Sequence, residues 1–197
     1  ANHMAIGIDC GTSGVRAVAV NSCQQILAES ALALTEQTPA HWWKTTLSVL
    51  DDLFSQLHQT VVLASYQVAI SLDATSSSLF LISRDGIPLT PVLMYYDACS
   101  NMASAIRSQL GSNSGAQGAQ SSLAKALTLA DSLAKQISQD QHWLVCHQAD
   151  WLLYQLSGQL GFSDENNCLK LGYDPVLQQW EKATLELIGQ AHLPKVV

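Results

Sequence analysis

The residues best suited to chemistry lie near the start of the chain, in the run Ile6-Gly-Ile-Asp-Cys-Gly-Thr-Ser-Gly-Val-Arg-Ala-Val-Ala-Val20. Asp9 ends an apolar stretch and is followed by Gly11, Thr12, Ser13 and Gly14, with Arg16 just beyond. Glycines remove Cβ atoms from a turn, so successive N–H groups can converge on an anion such as phosphate. Thr12 and Ser13 add hydroxyls. A carboxylate at Asp9 suits Mg²⁺, which takes a carboxylate together with waters and phosphate oxygens. Arg16 could steady phosphate charge or simply alternate outwards along its strand. The same residues also describe an ordinary glycine-bearing hairpin in which Asp9 accepts turn hydrogen bonds, and spacing alone does not separate the two. The run lacks the Gly-Lys-Ser/Thr of a Walker A loop. It is not a dinucleotide fingerprint either, because a strand follows the turn where a helix would be needed.

A second cluster, Asp73-Ala-Thr-Ser76, closes another apolar strand. The hydroxyls of Thr75 and Ser76 match those of a polyol, although an Asx or Ser/Thr turn has the same composition. Ligands of open α/β sheets bind beyond the carboxyl ends of the strands. Asp9, Asp73 and their hydroxyl neighbours are therefore expected to face one cleft. Phosphoryl transfer needs a phosphate cradle, a metal, a positioned acceptor and usually a carboxylate to take the proton. The first three have candidates here. A general base must reach its hydroxyl at about 2.6–3.2 Å, and no acid of this chain is an evident match.

The elements that must position these groups follow from periodicity. Ile6 and Ile8, then Val15, Ala17 and Ala19, alternate as two strands joined by the glycine turn. Gln25–Leu34 reads as a third strand. A helix from about His41 to Gln59 follows Pro39, with Trp42 and Trp43 as core and interface aromatics. Tyr66–Asp73 is a strand apolar enough to be central in a sheet. A second hairpin runs out over Leu79–Ser83, turns at Arg84-Asp85-Gly86 and returns over Pro88–Tyr96. Helices are expected over Asp97–Leu110, from Ser122 to about Gln139 with Ile137 on its apolar face, over Gln148–Ser157 with Gly158 closing it, and from about Pro175 to Gly189. Residues 111–122 are small and glycine-rich and read as a flexible loop; 162–174 reads as a polar loop. The order β-β-β-α-β departs from a Rossmann alternation. It fits an α/β fold of the ribonuclease-H-like (actin-like ATPase) kind, with a mixed five-stranded sheet, an extra β-hairpin and a helical insertion.

Composition narrows the classes. A chain of 197 residues that is 48% hydrophobic can bury a sizeable core, with one domain the default. A net charge of −7 argues against nucleic-acid or anionic-membrane partners. No apolar run is long enough to span a bilayer as a helix. Five scattered cysteines without a C-x-x-C favour reduced thiols in a cytosol-like compartment. Cys146-His147 lacks zinc spacing and reads as a packed or exposed pair. Ala1-Asn2-His3 reads as an expression scar ahead of Met4.

Asp9-Cys-Gly-Thr-Ser-Gly-Val-Arg-Ala-Val18 resembles the first phosphate loop of the FGGY carbohydrate kinases. Four further stretches resemble that family in its order: Ala69–Leu81, Pro88–Asp97, Gln148–Gly158 and Ser163–Pro175. Together they cover most of residues 4–197. The Ser121–Lys125 run, Gln148-Ala-Asp-Trp151 and Asn166–Tyr173 are most similar to the cyanobacterial and plant D-ribulose kinase branch, with xylulokinases next. The resemblance implies ATP and Mg²⁺ as cofactors and a ketopentose or polyol as substrate. Asp9 and Thr12 would be catalytic, with Asp9 the metal-associated acid. Gly11, Thr12, Ser13, Gly14 and Arg16 would bind phosphate; Asp73, Thr75, Ser76 and Asp97 would bind substrate. Asp97 matches the acid of the family's Asp-x-Arg, but Ala98-Cys99 replaces the pair that follows. Gln148, Asp150 and Asn166 lie in matching segments and read first as structural.

Family members are much longer, with a second actin-like domain that carries the catalytic base, the second phosphate loop and the adenosine pocket. The expectation is therefore an N-terminal domain over 4–197, inactive alone, whose partner is the absent C-terminal domain of the same chain. The compartment expected is the cytoplasm, or a plastid if the source is a plant. The alternatives are a xylulokinase or other polyol kinase, or a non-catalytic actin-like binding module.

Overall fold

Strict alternation at the start of the chain becomes a strand with one wet and one dry face. β1 (Asn2–Cys10) buries Met4, Ile6, Ile8 and Cys10 and exposes His3, Ala5, Gly7 and Asp9. The computed structural model describes residues 2–136 and 142–197. The chain divides into two compact units, Ala1–Thr75 and Ser76–Val197.

In the first unit β2 (Gly14–Asn21) continues the pattern, burying Val15, Ala17 and Ala19. With β3 (Ile26–Ala33) and β4 (Tyr66–Ala74) these strands form a four-stranded sheet in the order β3-β2-β1-β4. β2 is antiparallel to both β1 and β3, and β4 runs parallel to β1. The helix α1 (Pro39–Thr60) covers β2 and β3. Thr38 caps it, its side chain accepting from His41 N at 3.2 Å. Pro39 occupies the first turn, where a missing N–H leaves no hydrogen bond unmade. The helix buries Trp42, Thr46, Val49, Leu53 and Leu57 completely; full burial of a Val or Leu contributes about 1.5–3 kcal/mol.

Two expectations change here. The mixed sheet carries four strands instead of five, and β4 closes its order instead of lying within it. Apolarity of a strand reports how much it can bury, not which neighbour it finds; Val68 and Ile70 of β4 are exposed in this unit. The residues ahead of Met4 also continue a strand, since Asn2 and His3 pair with Tyr66 and Gln67.

In the second unit β5 (Leu79–Ser83) is buried at every position and pairs with β6 (Trp143–His147), antiparallel, from Leu79↔His147 to Ser83↔Trp143. The expected return strand, 88–96, builds no continuous ladder with β5: it makes two isolated bridges, Leu79↔Leu93 and Ile82↔Pro88, and Leu89 N donates to Leu81 O at 2.8 Å. The physical reason is proline: Pro88 and Pro91 carry no ladder donor, and Leu81 N bonds the Thr90 hydroxyl at 3.0 Å. Around β5 and β6 pack α2 (Ser100–Gln109) and α3 (Ser122–Ala134), their core built from Leu79, Leu81, Ile106, Leu123, Leu129 and Val145. The tail of the helix expected after Ala134, including Ile137, falls partly on 137–141, outside the described residues. α4 (Gln148–Ser157) ends at Gly158 with φ 73°, the left-handed closure expected.

Beyond α4 the polar loop contains β7 (Phe162–Ser163) and a short α5 (Glu165–Leu169) capped by Asp164. The long last helix is corrected. Asp174 Oδ1 accepts from Val176 N and Leu177 N and Gln178 sits at φ 53°, so the chain turns there. β8 (Tyr173–Asp174) pairs with β9 (Gln179–Trp180), and only Lys182–Ile188 is helical, as α6. The last strand, β10 (Lys195–Val196), runs parallel to β7. The glycine-rich stretch after α2 is anchored: Cys99 N donates to Ala119 O, Gln117 Nε2 donates to the Leu110 and Gly111 carbonyls, and Ala116 is buried.

Candidate functional site

Pairing of β1 with its two neighbours sets three charged residues side by side in the first unit. Asp9 lies opposite Arg16 on β2 and opposite Asp73 on β4. All three are exposed: Asp9 and Arg16 each sit one step out of phase with buried neighbours, and Asp73 stands between the half-buried Leu72 and Ala74. Arg16 does alternate outwards, and the face it reaches is that of Asp9. The three line an open concavity of about 480 Å³ whose floor includes Gly7 and Ser71. Nothing lies within 4 Å of where a Cβ of Gly7 would stand, so no side chain fills that floor. Asp73 Oδ1 accepts from Ala74 N at 2.9 Å, which fixes the carboxylate at the strand end.

Two carboxylates on adjacent strands match the donor set of Mg²⁺, which binds through one or two protein carboxylates and otherwise to water and phosphate oxygens. Among the described residues no cluster of three or more His, Cys, Asp or Glu builds a larger cage. Such a cage is not what Mg²⁺ requires, so the residues present fit the ion.

The turn between β1 and β2 is held from behind. Gly11 N donates to Gly14 O at 2.9 Å and Leu34 N to Ser13 O at 3.0 Å. Gln37 Nε2 donates to Thr12 O at 2.7 Å, and Gln37 Oε1 in turn accepts from Trp42 Nε1 at 2.8 Å. A trans peptide points its carbonyl and its N–H in opposite directions. The bond from Gln37 therefore turns the Ser13 N–H away from Gln37. The two glycines have unequal roles. A Cβ on Gly14 would stand 2.7 Å from the Leu32 carbonyl of β3, whereas one on Gly11 would meet nothing nearer than 3.7 Å. Neither has a positive φ, so Gly14 serves a close approach of β3, not a strained turn.

Thr75, half-buried, ends the first unit, and Ser76 begins the second. Ser76 is exposed, and its hydroxyl accepts from Lys170 Nζ at 3.3 Å. Asp97 acts locally, because its Oδ2 accepts from Met94 N at 2.7 Å and closes the turn. That turn presents Tyr95 and Tyr96, which are exposed and meet edge to face with ring centroids 5.0 Å apart. Gln120 Nε2 donates to the Tyr96 carbonyl at 3.4 Å. Ser76 with Lys170, and the Tyr95–Asp97 turn, thus carry hydroxyl, aromatic and charged groups in the second unit, taken together as its rim. Gln148 and Asp150 are buried and Asn166 is exposed.

Beneath this rim lies a buried polar network that periodicity did not point to. Lys125 on α3 is fully buried. Its ammonium donates to Gln120 O at 2.5 Å, to Ser77 Oγ at 3.2 Å and to Tyr95 O at 3.5 Å. Burial pulls this ammonium down to about 8; the nearby Cys99 and Asp97 push it up, and Lys170 pulls it down further. Ser122 Oγ donates to Ser77 Oγ at 3.1 Å and lies 3.3 Å from His147 Nε2. His147 Nδ1 lies 2.9 Å from Asp150 Oδ2, and Asp150 Oδ2 also accepts from His147 N. A carboxylate only accepts, so Nδ1 carries the proton. Cys146-His147 is a packed pair, the first of the two arrangements its composition allows. The signal for Lys125 was a lone charge set among Leu123, Ala124, Ala126 and Leu127, directly after two serines.

Solved structures share the fold. A glycerol kinase from Plasmodium falciparum solved with ADP aligns with a TM-score of 0.81 at 15% identity, covering 99% of this chain and 43% of that one. A xylulose kinase from Rhodospirillum rubrum gives 0.79 at 20% identity, over 98% and 42%. A gluconate kinase from Lactobacillus acidophilus gives 0.77 at 18% identity, over 100% and 42%. The chain spans less than half the length of each. At residues 4–197 it matches the sequence model of the FGGY family of carbohydrate kinases, N-terminal domain, and it belongs to that family.

Proposed function

We propose that this chain is the N-terminal half of an ATP-dependent kinase that phosphorylates a ketopentose, D-ribulose first and xylulose second. The observation that carries the reading is the exposed triplet Asp9, Arg16 and Asp73 over an unfilled floor at Gly7. A carboxylate pair beside a guanidinium is what a nucleotide phosphate and its counter-ion require. Mg²⁺, held by Asp9 with Asp73 beside it, would draw off charge that develops on the transferring phosphoryl group. Arg16 would steady the phosphate oxygens from the opposite side of Asp9. The Ser13 N–H and the Thr12 and Ser13 hydroxyls would add donors at the turn, with Thr12 the nearer to the reaction in the family's pattern.

Within the second unit the acceptor sugar would be oriented by the Ser76 hydroxyl and by Asp97, with Tyr95 and Tyr96 offering apolar faces. A few placed polar groups among aromatic ones is the usual make-up of a small-molecule site. D-Ribulose is preferred because Ser121–Lys125, Gln148–Trp151 and Asn166–Tyr173 are most similar to that branch of the family. The general base is expected in the remainder of the complete protein.

The test compares this chain with the complete protein in the presence of ATP, Mg²⁺ and D-ribulose. The complete protein is expected to make D-ribulose 5-phosphate and this chain none. Steady ADP formation by this chain alone would overturn the reading of it as half of a site. A clear preference of the complete protein for xylulose or glycerol would reassign the sugar.

A further inference from the structure

Lys125 makes an arrangement that core packing does not call for. A buried ammonium must have its donors satisfied, and here the three acceptors come from three separate segments: Gln120 ahead of α3, Ser77 after β4, and Tyr95 in the aromatic turn. The segments are also joined to one another. Ser77 Oγ donates to Gln120 O at 3.0 Å, and Tyr95 N donates to Ser78 Oγ at 3.0 Å. Ser77 itself is held at φ 66°, in the left-handed region that a side chain such as serine rarely occupies. Strained residues of this kind persist where the surroundings over-determine them, and they gather at ligand-binding turns. Ser77 stands between the exposed Ser76 and the buried Ser78, so its conformation sets the direction in which the Ser76 hydroxyl leaves the chain.

We propose that Lys125 is a positioning residue for sugar recognition: through Ser77 and the Tyr95 carbonyl its ammonium holds the Ser76–Ser78 and Tyr95–Asp97 turns in one fixed register. The inference rests on the reading of these turns as the sugar-facing rim. Lys125 does not touch the sugar or phosphate, because its donors are all engaged inside the protein. Ser122 Oγ donates to Ser77 Oγ from its other side, with His147 packed against Ser122 and held in turn by Asp150. Ser77 is thus fixed from two directions. A lysine serving packing alone would need no shared acceptor on two surface turns.

The test is made in the complete protein with Lys125→Met, which keeps the length and loses the charge. Ser77→Gly is the second variant; it keeps the backbone conformation and loses the hydroxyl. The KM for D-ribulose should rise about 10-fold in Lys125→Met and less in Ser77→Gly, with the KM for ATP within about 2-fold of the parent. A fall in kcat with both KM values unchanged means fewer folded molecules and nothing more, and it overturns the proposal. If Lys125→Met does not fold, Ser77→Gly decides by the same criterion. If the parent phosphorylates no pentulose or polyol, the kinase reading has failed, and amide exchange then decides the positioning role. Exchange accelerated in Ser77→Gly only at 76–78 and 95–97 supports it. Unchanged or general acceleration overturns it.

Discussion

The two units of this chain present candidate ligand groups in opposite ways. In the first, Asp9, Arg16 and Asp73 stand on the open face of a sheet, and their placement follows from strand register alone. The support behind them is largely apolar, and the line Trp42–Gln37–Thr12 steadies the turn. In the second, Ser76 and the Tyr95–Asp97 turn are irregular backbone, and what fixes them is a buried network of lysine, serine, histidine and aspartate. A regular strand carries its side chains in a known direction at no extra cost. An irregular turn has no such rule and needs specific polar contacts, each of which must be satisfied once buried. Substitutions should therefore behave differently in the two units: a charge change on the sheet face should affect chemistry without affecting folding, and a change under the rim should affect geometry.

The largest effect is expected at Asp9. Asp9→Asn in the complete protein should lower kcat by about 10²–10³-fold, the usual consequence of losing one electrostatic stabiliser of a transition state, and should leave the thermal midpoint unchanged because the residue is exposed. Paired steady-state kinetics and calorimetry check it; a matching loss of stability would show that Asp9 is a structural turn residue. A sharper contrast lies within the same turn. Gly14→Ala forces a Cβ to 2.7 Å from the Leu32 carbonyl, and overpacking of this kind costs about 1–3 kcal/mol. Gly11→Ala meets only a contact at 3.7 Å and should be tolerated. Denaturant midpoints of the two variants measured side by side check the difference, and equal values would remove the close approach of β3 as the reason for glycine at 14.

What could be read from the sequence divides along the same line. β1 and β2 were legible because Ile6, Ile8, Val15, Ala17 and Ala19 alternate, and that period fixes which face Asp9 and Arg16 share. α1 was legible because Pro39 and the spacing of Trp42, Leu50, Leu53 and Leu57 mark one helix, although its start at Pro39 and the Thr38 cap were not read. The end of the chain was not. Asp174 and Pro175 look like a helix start, yet the same aspartate can accept from the next two amides and make a turn; local composition does not say which competitor wins. The return of the second hairpin failed for a related reason, since Pro88 and Pro91 leave apolar residues in place while removing the donors of a ladder. Lys125 entered the sequence reading only as the end of the Ser121–Lys125 run. Its meaning depends on Ser77, Tyr95 and Gln120, and no periodicity links those positions.

The pH dependence of the Lys125 network is the most diagnostic effect, because it makes stability and sugar binding move in opposite directions. Burial holds the Lys125 ammonium at about 8, below the 10.5 of an exposed lysine. Between those values Lys125 binds more protons in the unfolded chain than in the folded one, so its own contribution to stability rises with pH across that window. Relative to Lys125→Met, the parent should therefore gain stability as pH climbs from about 8 to 10.5. Over the same range the neutral amine has one donor fewer for its three acceptors, the two turns lose their shared anchor, and the KM for sugar should rise. Lys125→Met should show no rise in KM, and in stability only the fall that the buried Cys146 and Cys168 thiols, whose ionisation burial opposes, impose on both proteins at the upper end of the window. Unfolding midpoints and sugar KM measured on both proteins across the window test it. Stability and affinity falling together would mean that the network holds the fold and not the rim, whereas opposed slopes require a lysine whose charge is unfavourable to burial and is retained for geometry.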